Sequence, residues 1–269
     1  MRCIFCKAES SDSKSIEHII PESLGNDTHV LPPGVVCDNC NNYFAREVEK
    51  PFLDSIAMRL LRFHQAVENK RGLIPPAQGI LAPKFPVTIR RFSNGEIKGL
   101  VEIPPEAIDH LFECDKGAII IPASSGPPSD LMVSRFLAKV AVEAMAQRLL
   151  PYPETLEYLV DEAQLDPVRN YARSGRIQNW PVHIRRIYEE DKKWLDESGK
   201  AVQVVHEYDI LKTDSDEWYL ILALFGTEFA LNIGGPEIEG YLAWLTEHDN
   251  VSPLYWGKNA IDRRIKPAG

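Results

Sequence analysis

The chain has 269 residues, 44% of them apolar and 26% charged, the make-up of an ordinary globular protein rather than a disordered or fibrous one. Its length fits one large domain or two smaller ones, and no apolar run reaches the roughly 18 residues that span a bilayer. A formal net charge of −9 excludes a uniformly basic coat for nucleic acid. The excess is uneven, however: residues 1–72 carry 9 Lys and Arg against 10 Asp and Glu, so a local basic surface stays open there. The chain opens Met1-Arg2-Cys3 without a hydrophobic leader, from which a cytoplasmic location is expected.

Ser15–Ile20 reads as a short β-branched strand, ended by Pro21. Gly25-Asn26-Asp27 and Pro32-Pro33-Gly34 read as loop, and Asn41–Lys50 as a short helix. Pro51 suits the first position of the next helix, along which Phe52, Ile56, Leu60 and Phe63 recur at helical spacing to about Glu68. Arg71–Gly79 is rich in proline and glycine and reads as a linker, dividing the chain into 1–70, 71–79 and 80–269. Beyond it, Pro86–Phe92 and Ile97–Ile103 flank Ser93-Asn94-Gly95, a hairpin signal. Ala118–Ile121 is a further strand. Ser134–Leu150 carries Leu137, Val140, Ala141, Ala144, Met145 and Leu149 as an amphipathic helix, with helices also at Pro153–Asp161 and Asp166–Arg173. Strands return at Val182–Tyr188, Val202–Leu211, Trp218–Phe225 and Glu228–Ile233. The second part is therefore α+β with mainly antiparallel strands.

Four of the five cysteines form two tight pairs, Cys3-x-x-Cys6 and Cys37-x-x-Cys40. In a reducing compartment such pairs serve as metal ligands rather than disulfides, and two of them complete an all-thiolate zinc tetrahedron. Four cysteines close the coordination shell, so the zinc is structural. The fifth, Cys114, reads as a small buried apolar residue. Between the pairs lies Glu17-His18-Ile19-Ile20-Pro21, and Asn41 follows Cys40 directly. His18 could serve as a general base, with an unshifted pKa near ~6.5, or be a packed histidine. Glu17 and Asn41 offer hard oxygen donors for Mg²⁺ or Mn²⁺. Strand alternation points Glu17 and His18 to opposite faces unless the chain bends.

Taken together, Cys3-x-x-Cys6, Glu17-His18-Ile19-Ile20-Pro21, Gly25 and Cys37-x-x-Cys40-Asn41 resemble the HNH endonuclease family in its zinc-knuckle branch, over roughly residues 3–55. The resemblance implies an N-terminal ββα-metal unit stapled by zinc, ahead of the α+β second part. It implies His18 as general base, with Glu17 and Asn41 as ligands to the catalytic ion; Asn42 is the alternative to Asn41. The family's middle asparagine has no counterpart in Val30–Gly34, where His29 or a backbone carbonyl could take over its orienting task. By the same likeness the substrate is DNA before RNA; a stand-alone nuclease with an appended recognition domain would fit restriction, anti-phage defence or a mobile-element role.

In the second part Arg169, Arg173 and Arg176 with Tyr171, and the pairs Arg185-Arg186 and Arg263-Arg264, could hold phosphates or pair with neighbouring acids. His64, His110, His183, His206 and His248 show no mutual metal spacing. Two rivals stand beside a stand-alone nuclease: a noncatalytic zinc module that binds nucleic acid or protein, and a nuclease held silent until a regulatory partner reaches the second part. Since one such site cuts one strand, a homodimer is a further expectation, and no membrane partner is expected.

Overall fold

Short elements dominate the N-terminal stretch because Pro, Gly and the cysteine turns interrupt it so often. The computed structural model describes residues 1–26, 28–69, 71–114, 116–123, 128–175, 179–195 and 198–262. In chain order these form β1 (Glu17–His18), β2 (Val30–Leu31), α1 (Asp38–Phe44), α2 (Lys50–Asp54), α3 (Ile56–His64), β3 (Ala77–Leu81), β4 (Phe85–Arg91), β5 (Gly99–Glu102), α4 (Ile108–Glu113) and β6 (Ile119–Ile120). There follow α5 (Asp130–Leu149), α6 (Pro153–Asp161), α7 (Asp166–Ser174), β7 (His183–Arg186), β8 (Lys193–Leu195), β9 (Ala201–Gln203), β10 (His206–Lys212), β11 (Trp218–Leu224), β12 (Thr227–Asn232), α8 (Glu239–Glu247) and α9 (Tyr255–Asp262). The fold is α+β, and every sheet pairing is antiparallel. Among the described residues no helix is long and apolar enough to cross a membrane.

Two compact units emerge. One comprises Met1–Pro21, Asn26–Pro51 and Ser129–Gly269; the other comprises Glu22–Gly25 and Phe52–Pro128. This division runs differently from a single break at 71–79, and the stretch read as linker already enters β3 at Ala77. The apolar face of α3, through Leu60 and Phe63, supplies the reason: with Ile74, Ala77, Leu81, Val87 and Ile89 it forms the core of the second unit, whose sheet order is β5-β4-β3-β6. Cys114 corrects an expectation: it is exposed, at the end of a helix that buries none of its residues.

In the first unit the sheet order is β10-β11-β12-β7. β11 is buried from Tyr219 to Leu224, as its unbroken apolar run requires. Helix α8 contributes Tyr241 and Leu245 to the core with Tyr219, Ile221 and Ala223. Helix α5 packs against β10, β11, β12, α7 and β2. It is buried almost all round, including Lys139 and Glu143 one turn apart, so it is an interior helix rather than an amphipathic surface one.

The β11–β12 turn uses Phe225 and Gly226, both at positive φ (47° and 76°), the pairing a two-residue type I′ hairpin demands. A Cβ at Gly226 would run into the carbonyl oxygen of Tyr188. Gly226→Ala is expected to cost about 1–2 kcal/mol from the left-handed backbone alone, and more from the clash. Urea denaturation checks this; an unchanged midpoint would refute it.

Candidate functional site

The four-cysteine cluster is built by two turns. At the first, the Lys7 N–H donates to the Cys3 carbonyl at 2.9 Å, with Lys7 itself left-handed at φ 61°. At the second, Cys37 caps α1, its sulfur accepting from the Cys40 N–H at 3.4 Å. The Cys3 sulfur accepts from the Cys37 N–H at 3.3 Å. All four sulfurs lie within 4.8 Å of one another, and those of Cys6 and Cys37 are 3.6 Å apart. A tetrahedron with Zn–S bonds of ~2.3 Å has edges of roughly 3.8 Å, so the cysteines fit zinc. A hydrogen bond from Cys40 pulls the Cys3 thiol down to about 4, and the same bond pushes Cys40 up. Four thiolates at this spacing need a cation to coexist.

Helix α1 holds the entry to β1. The Asp38 carboxylate accepts from the N–H groups of Ser15 (2.9 Å) and Lys14 (3.1 Å), bonds that keep its pKa below the usual range. One turn on, Asn41 Nδ2 donates to the Ile16 carbonyl at 3.1 Å. Among the described residues Asn41 Oδ1 accepts no hydrogen bond, and Asn42 is exposed.

In the hairpin, Glu17 stands opposite Leu31 and His18 opposite Val30. Alternation therefore holds. Glu17 is turned into the interior at 4% exposure, while His18 is half-buried, with Nδ1 enclosed and without a hydrogen-bond partner. Glu17 meets the ammonium of Lys139, which is itself fully buried. That single Nζ lies 2.8 Å from Glu17, 2.7 Å from Glu49 and 2.8 Å from Glu143. It also lies 2.9 Å from the His18 carbonyl oxygen and 3.5 Å from that of Ile19. Burial pushes the ammonium down, but Glu143, Glu17 and Glu49 outweigh it and hold Lys139 well above its ordinary pKa. Burial likewise raises Glu17 and Glu143.

His29 lies elsewhere. Its Nδ1 is 3.3 Å from the Tyr208 hydroxyl, which donates to Gln147, and its ring is edge-on to His206 at 5.5 Å. Its carbonyl accepts from the Ile19 N–H at 3.1 Å and so closes the hairpin loop.

The loop also contains a residue that reading the sequence passed over. Asn26, 1% exposed, donates from Nδ2 to the carbonyls of Ile20 (2.7 Å) and His29 (2.9 Å), and accepts at Oδ1 from the N–H groups of Thr28 (3.1 Å) and His29 (2.8 Å). Gly25-Asn26 looks like any turn in one dimension. Lys139 and Glu143 did leave a signal, an oppositely charged i,i+4 pair among the apolar residues of α5.

The structure brings together the four cysteines, and separately Glu17 with Lys139, Glu49 and Glu143. Among the described residues no side-chain hydrogen bond or ion pair joins any two of Glu17, His18, His29 and Asn41. Several basic candidates prove structural. Arg169, 1% exposed, is spent on Asp166 and the carbonyls of Glu162 and Leu159. Arg185 pairs with buried Glu228 and Arg186 with Glu190. Arg173 remains exposed, but it lines a cavity of about 550 Å³ shared with Glu9, Asp12 and Asp38, whose charge opposes a phosphate. Arg176, Arg263 and Arg264 lie outside the described residues.

Neither the curated proteins nor the solved structures contain a significant match to this chain. The comparison with protein families does: residues 3–57, about a fifth of the sequence, match the model described as HNH endonuclease. The matched span begins at the first zinc cysteine and contains β1, β2 and α1, the ββα order of elements. The segment from Cys3 to Ala57 thus belongs to the HNH endonuclease family, a family of nucleases.

Proposed function

We propose that this chain hydrolyses phosphodiester bonds in DNA, with His18 as general base beside one Mg²⁺ or Mn²⁺ ion. The observation that carries the reading is the placement of His18: on β1 of the matched segment, half-buried, with an enclosed and unpartnered ring nitrogen. A base so placed takes a proton from the attacking water, an effect typically worth ~10²–10⁴-fold. The donors suit a hard ion, because Glu17 Oε2 is buried without a hydrogen-bond partner and Asn41 Oδ1 is unengaged. When bound, such an ion would stabilise charge on the leaving oxygen. His29 and Asn26 hold the hairpin loop that carries the site. Restriction or anti-phage defence is the setting proposed for such a nuclease, and a double-strand cut takes two copies or two successive events.

One observation favours a second reading, a noncatalytic zinc module binding nucleic acid or protein: Glu17 already holds Lys139 with its other oxygen. Incubating the purified protein with plasmid and Mg²⁺ or Mn²⁺ separates the two. Cutting is expected, with a loss of ~10²-fold or more in His18→Ala at equal zinc content. Cutting that survives the substitution removes His18 as base, and no cutting with either metal favours the binding module.

A further inference from the structure

Helix α5 lies outside the matched segment, yet it puts a fully buried ammonium against the peptide of His18, 121 residues away in sequence. A lysine is a costly choice there. Desolvating the charge takes several kcal/mol, and a well-packed apolar side chain is often as stable or more so. What an apolar residue could not do is donate hydrogen bonds. The ammonium has three N–H groups and five oxygens around it: the carboxylates of Glu17, Glu49 and Glu143, and the carbonyls of His18 and Ile19.

The need for such a grip follows from the hairpin. β1 and β2 are two residues each, so the ladder alone fixes His18 poorly. Asp38 and Asn41 hold residues 14–16 ahead of it, and Asn26 holds Ile20 and His29 behind it. The carbonyls between those anchors, of His18 and Ile19, are the ones that Lys139 takes.

We infer that Lys139 is a positioning residue of the nuclease site: from α5 it fixes the main chain of His18, so the C-terminal part of the chain completes the nuclease unit. The inference rests on the reading of His18 as general base for its consequence in catalysis, but its geometry stands apart from that reading. Glu49 and Glu143 offset the charge of the ammonium, while its hydrogen bonds to the two carbonyls are what hold the strand.

Lys139→Met alone would strand three acids in the interior and could simply unfold the protein. The test therefore compares two zinc-loaded variants: Glu49→Gln/Glu143→Gln, which keeps the ammonium, and Lys139→Met/Glu49→Gln/Glu143→Leu, which removes it with its surplus acids. Folding is verified by zinc content and a cooperative melt. The first variant is expected to keep the His18 ring NMR signals and the wild-type kcat. The second is expected to shift those signals and lose kcat by roughly 10–100-fold, as a displacement of about 1 Å can do, with KM for DNA within about twofold. Unshifted His18 signals in the folded second variant overturn the inference, as does an equal kcat in the two where His18 is the base. If His18→Ala cuts DNA as well as wild type, the proposed chemistry fails alone, and the ring signals still decide the placement.

Discussion

Withdrawing zinc is expected to melt the N-terminal segment of this chain from Cys3 to about Phe44. Its regular structure is two two-residue strands, a single 3-10 turn at Glu22–Leu24 and a seven-residue helix, far too little to stand on backbone bonding. The apolar residues that close over it, Ile4, Phe5, Val35, Val36 and Phe44, are placed by the cysteine turns, with Phe5 and Phe44 in ring contact at 4.4 Å. Structural zinc contributes on the order of 10–16 kcal/mol in small metal-dependent peptides, comparable to the whole stability of a domain, about 5–15 kcal/mol. A strong chelator, or Cys37→Ser, should therefore abolish amide-exchange protection at the hairpin. Acid should do the same, because the ligands bind metal as thiolates and protons compete. Retained protection in zinc-free protein would show that the cysteines are not the staple.

Lys139→Ala should be the most damaging single substitution away from the zinc. Removing one partner of a buried charge cluster costs about 3–5 kcal/mol, since the remaining charges keep their desolvation penalty and lose their compensation. Here Glu17, Glu49 and Glu143 would remain. The sign of the pH dependence follows. Burial already raises Glu17 and Glu143, and without the ammonium nothing offsets it, so both sit above the unfolded value of about 4.3 and the folded form binds more protons than the unfolded one. The deficit against wild type should be small below about pH 4 and grow as pH rises through the raised folded values. Urea titrations across that range would check it; a deficit independent of pH would argue that lost packing, not stranded charge, is the cause.

Much of the architecture could be read from spacing. The cysteine pairs, the amphipathic α3, the Asn94-Gly95 hairpin and the two long strands at the centre of the first unit's main sheet follow from local rules, and α6 starts and ends where proline and periodicity place it. What escaped is what local rules cannot carry. Residues 77–79 look like linker because Gly79 and the preceding prolines dominate the composition, yet the Ile89 side chain and the Ile120 carbonyl oxygen pack close at Gly79, leaving no room for a side chain. The buried acid cluster is a long-range fact: nothing near Glu17 in the sequence announces the lysine, from another part of the chain, that meets one of its oxygens. Asn26 is the plainest case, since a turn asparagine and a buried loop clamp are spelled alike.

The split first unit bears on how the protein is made. Residues 1–51 leave the ribosome well before α5, and at about 5–20 residues per second the wait for Lys139 lasts several seconds or more. During that interval zinc can gather the cysteines, but Glu17 and Glu49 have no ammonium to meet, and the His18 strand hangs from its loop anchors alone. The nascent N-terminal segment thus lacks its hydrogen bond at the His18 carbonyl until the lysine encoded 121 residues later is released to make it.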